Sequence, residues 1–108
     1  MTIRPGELWV ADIRFTDASA SKRRPVLVLW LDASDVVVAA VTSASARTAS
    51  DEPLVDWQSE GLLRPSTVRL ARLDCLEQSL LLHRIGAVSA NDAQRRRTAW
   101  DTHVKPQF

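Results

Sequence analysis

Apolar positions in this chain fall into six short runs separated by polar segments, a spacing that suits strands better than helices. The first, Glu7 to Arg14, follows the turn signal Arg4-Pro5-Gly6 and is apolar at Leu8, Trp9, Val10, Ala11 and Ile13. Apolar residues on both faces mark it as a largely buried strand. Pro25 to Leu31 is the second; Val26, Leu27, Val28, Leu29 and Trp30 favour extended backbone, and proline is tolerated at a strand's first position. Asp32 to Asp35 form a short hairpin connection into a Val-rich third strand, Val36 to Thr42. Leu54 to Trp57, Ser66 to Leu73 and Leu81 to Val88 complete the set. Phe15 to Arg24 and Ser43 to Pro53 show neither period and read as polar loops, the first of them mobile.

The pattern changes after Val88. Ser89-Ala90-Asn91-Asp92 has the form of a helix start, with Ser89 as N-cap and Asp92 three residues on. Ala93, Trp100 and Val104 share one face at helical spacing, and Pro106 prevents further continuation. Short strands of regular spacing followed by one helix predict an α+β fold, a small antiparallel β-barrel with a C-terminal α-helix. With 108 residues and no linker or repeat, the chain reads as a single domain over 1–108.

Composition narrows the function classes. Hydrophobic residues make up 45% and charged residues 25%, which is ordinary globular composition. The net charge is +1, so any nucleic-acid site has to be a local patch on a nearly neutral protein. Twelve of the 14 basic residues are Arg, whose planar fork of donors suits phosphate and base edges. Cys75 is the single cysteine, so no intramolecular disulfide or Cys-rich zinc site can form, and it reads as a small apolar residue near a strand end. No signal peptide is evident, and an apolar run such as Val36 to Val41 is far short of the ~18 residues that span a membrane. Cytoplasmic residence is the expectation.

No metal-ligand or Gly-rich nucleotide motif is present; His83 and His103 stand apart from any ligand partner. No metal or cofactor is expected. The informative segment is Lys22-Arg23-Arg24-Pro25, three cations at the end of a loop where a strand begins. Pro25 restricts Arg24 to extended backbone, which fixes one guanidinium. Taken alone, the segment is better described as a solvated basic turn. Thr42 and Ser43 end the third strand, where hydroxyls commonly satisfy backbone groups. If strands two and three form a hairpin, Arg24 and Thr42 come within about one residue of being paired. A fixed Arg beside a hydroxyl, under basic residues, is suited to holding a phosphate. Arg69 alternates out from Val68 and Leu70; it serves either nucleic acid or a strand-surface ion pair. Arg95 to Arg97 read as a solvated helix face, and Trp9, Trp30, Trp57 and Trp100 as packing residues.

These segments resemble the PemK/MazF toxins, endoribonuclease halves of bacterial toxin–antitoxin pairs. The matching pieces occur in the family's order: Pro5-Gly6-Glu7-Leu8-Trp9-Val10, then Lys22-Arg23-Arg24-Pro25-Val26-Leu27-Val28-Leu29, then Val38-Ala39-Ala40-Val41-Thr42-Ser43. Gly61-Leu62-Leu63-Arg64-Pro65-Ser66-Thr67-Val68-Arg69 and Leu82-His83-Arg84-Ile85-Gly86-Ala87-Val88-Ser89 follow. The resemblance implies an SH3-like barrel acting as a homodimer, neutralised by a cognate antitoxin, with operator DNA bound through that antitoxin. It implies metal-independent cleavage of single-stranded RNA by the substrate's own 2′-OH. The family's catalytic Arg and Thr fall on Arg24 and Thr42, with Lys22, Arg23, Ser43 and Arg69 as RNA contacts.

Many family members carry Gly-x-Glu-Gln before the Arg-Pro pair, where this chain has Ala18-Ser19-Ala20-Ser21. A Glu that serves as base or in base recognition is therefore missing, Asp17 is the only carboxylate nearby, and the general base stays unassigned. Two other readings keep the architecture: a non-catalytic binding module or poison of a protein target, and a homologue that has lost catalysis.

Overall fold

The computed structural model describes residues 2–14 and 21–108. Strand β1 spans Glu7–Arg14, β2 Ser21–Asp32, β3 Asp35–Thr42, β4 Asp51–Pro53, β5 Thr67–Glu77 and β6 Leu81–Ala87. A 3-10 turn, Gln78–Leu80, joins β5 to β6. Helix α1 runs Ala90–Ala99 and continues as a π-helical turn, Trp100–Val104. The strands form one antiparallel sheet in the order β4-β5-β3-β2-β1-β6. The α+β class and the C-terminal helix match the sequence expectation. The closed barrel does not: β4 and β6 are the two edges, and the sheet is open.

Both faces of the sheet are covered, which explains why β1 and β2 are apolar at consecutive positions. Trp9, Ala11, Val26, Val28, Val36, Val38, Leu76 and Leu81 form one buried cluster. Five strands contribute to it, and among the described residues only Ile3 and the half-buried Leu80 come from outside the sheet, so the sheet curls around its own inner face. The alternate residues Leu8, Leu27, Ala39, Val41, Val68 and Leu70 form a second cluster, covered by Leu54, Leu62, Ala99 and Trp100. The helix and the 54–66 connection therefore cap the outer face.

Two irregularities set the register. In the β2–β3 hairpin Leu31 pairs with Val36 next to the turn, but Val28 pairs with Val38, so β2 carries one extra residue around Leu29. In the β3–β5 pair Ala39 faces Leu73 while Ala40 faces Arg69, which leaves three extra residues on β5.

The 54–57 segment corrects the sequence reading. It is a turn rather than a strand; the paired residues are Asp51–Pro53, at a sheet edge where a proline is tolerated. Its backbone is satisfied elsewhere: Val55 and Asp56 donate their N–H groups to the Asp92 carboxylate at 3.0 and 2.9 Å. Ser89 is the N-cap as expected, its Oγ accepting from the Asp92 N–H at 3.1 Å. The reciprocal bond of a capping box comes from another segment, because the Ser89 N–H donates to Glu60 Oε2 at 2.7 Å. Asp92, Asp56 and Glu60 thus fasten the connection to the start of α1. Glu60 is 2% exposed, and its Oε1 has no hydrogen-bond partner among the described residues. Burial, with Asp92 and Asp56 nearby, pushes its pKa up to about 7, against the Ser89 N–H. The fit is close: a Cβ on Gly86 would lie 2.0 Å from the Glu60 carbonyl oxygen.

Candidate active site

The three cations singled out in the sequence lie inside β2, not in a loop ahead of it. Lys22 pairs with Ile13, Arg23 with Asp12 and Arg24 with Ala11. Strand alternation then divides them. Arg24 and Lys22 follow Val28 and Val26 on the inner face of the sheet, and Arg23 shares the other face with Pro25. On β3, Thr42 follows Val38 and Ala40 on that inner face. The last paired residues of the hairpin before the site are Val26 and Ala40, and continuing their register by two residues sets Arg24 opposite Thr42. The site is the polar end of a row that is hydrophobic core further in.

Thr42 is oriented locally. Its Oγ1 accepts from the Ala44 N–H at 3.1 Å, which leaves the hydroxyl proton to donate. Both Arg24 and Thr42 border two depressions. One, of about 200 Å³, is lined by Ile13, Ala40, Arg69 and Arg72. The other, of about 530 Å³, is walled by Ser43, Arg64, Ser66, His83 and Arg84. Ser43 therefore opens on the larger one. A phosphate at Arg24 and Thr42 would have room for nucleotides on either side. Arg24, Arg64, Arg69, Arg72 and Arg84 all reach these walls, so a nearly neutral chain concentrates cations at one place.

Arg69 and Arg84 are paired with carboxylates. Arg69 Nε stands 3.5 Å from Asp51 Oδ1, so the strand-surface ion pair considered for it is present. Arg84 Nε donates to Glu7 Oε2 at 2.6 Å. Burial works to raise the Glu7 pKa, but hydrogen bonds from the Arg4 N–H, Arg84 and Trp9 Nε1 outweigh it and hold the carboxyl low.

Other candidates lie apart from Arg24 and Thr42. Trp9 is core; Trp30 is 45% exposed and meets Trp100 edge-on at 6.2 Å, along a groove shared with Arg96 and Arg97. Burial and Arg97 lower the pKa of Arg96, and Arg95 pairs with Glu52 at 3.0 Å. Cys75 is exposed in β5 opposite Val37, not apolar filling, and desolvation with Asp35, Asp32 and Asp74 pushes its thiol up. Asp17 and Ala18-Ser19-Ala20 lie outside the described residues. Arg64, Arg72 and His83 were not legible as site residues. Motif and alternation give no signal for a residue delivered by a bulge (Arg72), by the irregular connection ahead of β5 (Arg64) or by the wall of a neighbouring strand (His83).

The sequence profile of the PemK-like, MazF-like toxins of type II toxin–antitoxin systems matches residues 4–99. Among solved structures, Mycobacterium tuberculosis toxin MazF-mt6 is similar at 26% identity and a TM-score of 0.70, over 86% of this chain and 90% of that one. A mycobacterial endoribonuclease in complex with its cognate antitoxin is similar at 17% identity and a TM-score of 0.79, over 99% of each chain. MazE–MazF from Deinococcus radiodurans is similar at 18% and 0.69, over 97% of each. No curated protein matches significantly.

Proposed function

Because the chain belongs to the PemK-like, MazF-like toxin family, we propose that it is a toxin endoribonuclease acting on single-stranded RNA and neutralised by a cognate antitoxin. The observation that carries this reading is the register that sets Arg24 opposite Thr42, with the Thr42 hydroxyl turned by Ala44 to donate. A binding module needs no such pair.

In this reading the RNA 2′-oxygen attacks the adjacent phosphorus. The O2′–P bond forms and the P–O5′ bond breaks, leaving a 2′,3′-cyclic phosphate and a 5′-OH. The proton leaving O2′ is balanced by one delivered to O5′. Negative charge builds on the non-bridging oxygens in the transition state. Arg24 offers a forked, permanently charged donor to those oxygens. Thr42 donates one hydrogen bond to the same phosphate. Ser43 and Lys22 contact the strand on either side, and Arg69, fixed by Asp51, presents its remaining N–H groups to the smaller depression. Arg23, on the opposite face, contacts RNA outside the reacting linkage. The reaction needs no metal ion and takes place in the cytoplasm. The active species is a homodimer, and operator DNA is bound through the antitoxin.

The test is cleavage of mixed-sequence single-stranded RNA in EDTA, with end-group analysis. Products with 5′-OH ends are expected. Failure of the folded protein to cleave diverse RNAs would overturn the reading in favour of a protein target.

A further inference from the structure

The smaller depression holds a cation placed there by an irregularity. β3 and β5 pair from Thr42–Thr67 to Ala40–Arg69, and the next β3 residue, Ala39, meets Leu73. Leu70, Ala71 and Arg72 are the surplus. Leu70 turns into the outer core and is fully buried, while Arg72 emerges exposed beside Arg24, Thr42 and Arg69. Arg69 is neutralised by Asp51; Arg72 makes no ion pair or hydrogen bond among the described residues. Among the described residues, no carboxylate lines the depression. A strand that gives up ladder bonds to project an uncompensated guanidinium beside a phosphate site is built for an anion from outside the protein.

We propose that Arg72 is a substrate-positioning residue: it holds the RNA phosphate next to the one at Arg24 and Thr42. The inference rests on the nuclease reading above. Arg72 binds non-bridging oxygens of a linkage that does not react, so it fixes the strand's path and takes no part in bond making.

The test compares the full-length wild type with Arg72→Ala, Arg72→Lys and, as a remote control, Arg97→Ala. One readout is steady-state cleavage of an RNA that the wild type cuts. The other is binding of a mixed-sequence all-deoxy single strand, which lacks the attacking hydroxyl, over a salt series. Arg72→Ala is expected to raise KM about tenfold with kcat changed less than about threefold, and to flatten the slope of log affinity against log salt by about 0.7. Arg72→Lys should restore the slope but only part of KM, because it keeps the charge and loses the fork. Arg97→Ala should change neither. Arg72→Ala matching the wild type in both KM and slope would overturn the proposal, as would a loss confined to kcat. Wild type that binds with an Arg72-dependent slope yet never cleaves sinks the nuclease reading and leaves the phosphate contact standing. Folded wild type that neither binds nor cleaves sinks both.

Discussion

Arg24 and Thr42 face one another across the β2–β3 hairpin, two residues beyond the last pair, Val26 and Ala40. Neither side chain belongs to a loop. Arg24 stands just before, and Thr42 just after, the packed core residues of its own strand, so the core itself fixes their separation.

Removing the guanidinium should therefore abolish chemistry without unfolding the protein. Arg24→Ala is expected to lower kcat by about 10²–10³-fold, with an unchanged melting temperature. Thr42→Ala should cost less, about tenfold to a hundredfold, since one neutral donor is lost. Single-turnover cleavage beside a thermal melt checks both.

Glu60 makes stability depend on pH. Its pKa is raised from the ordinary 4.5 to about 7, so between those values the folded chain keeps a proton that the unfolded chain releases. The stabilisation is complete below pH ~4.5 and is lost as pH rises through about 7. Melting temperature should fall from pH 5 to pH 8. Glu60→Gln, which keeps an acceptor for the Ser89 N–H, should flatten that fall and melt above the wild type at pH 8. Parallel curves for the two proteins would contradict this account.

Asp92 is 1% exposed and accepts from two backbone N–H groups 36 and 37 residues away. Asp92→Ala leaves both donors unsatisfied, at a cost of about 2–4 kcal/mol in urea unfolding. Asp92→Asn should recover part of it, since one acceptor oxygen remains.

Gly86→Ala should prevent stable folding. The added Cβ meets backbone, the Glu60 carbonyl, which no rotamer change can move aside. A loss of about 3 kcal/mol or more is expected, read as insolubility or a collapsed melting temperature. Gly6→Ala is the contrast: its Cβ has 3.8 Å of room, and only the φ of +89° opposes it.

Most strands were legible because their signal is local. β1 appears at the residues where the apolar run lies, and Ser89 caps α1 as its sequence indicates. The openness of the sheet was not legible, because edges are set by pairing partners that no run of residues names. The 54–57 turn was misread as a strand because Val55 and Trp57 carry β propensity, while the groups that satisfy this backbone sit on Asp92. The pairing of Arg24 with Thr42 was legible only to within one residue, because the turn sets one register and the extra β2 residue sets another. Arg72 was invisible for the same reason on β5.

The extra residue around Leu29 has a chemical consequence. Near the turn, Leu31 faces Val36; carried unchanged to the other end, that alignment would bring Ser43, not Thr42, opposite Arg24. The one-residue step in β2 thus chooses which of two adjacent hydroxyls meets the guanidinium. Flattening the step without losing a residue, so that Leu29 itself paired with Val38, would exchange one alcohol for its neighbour.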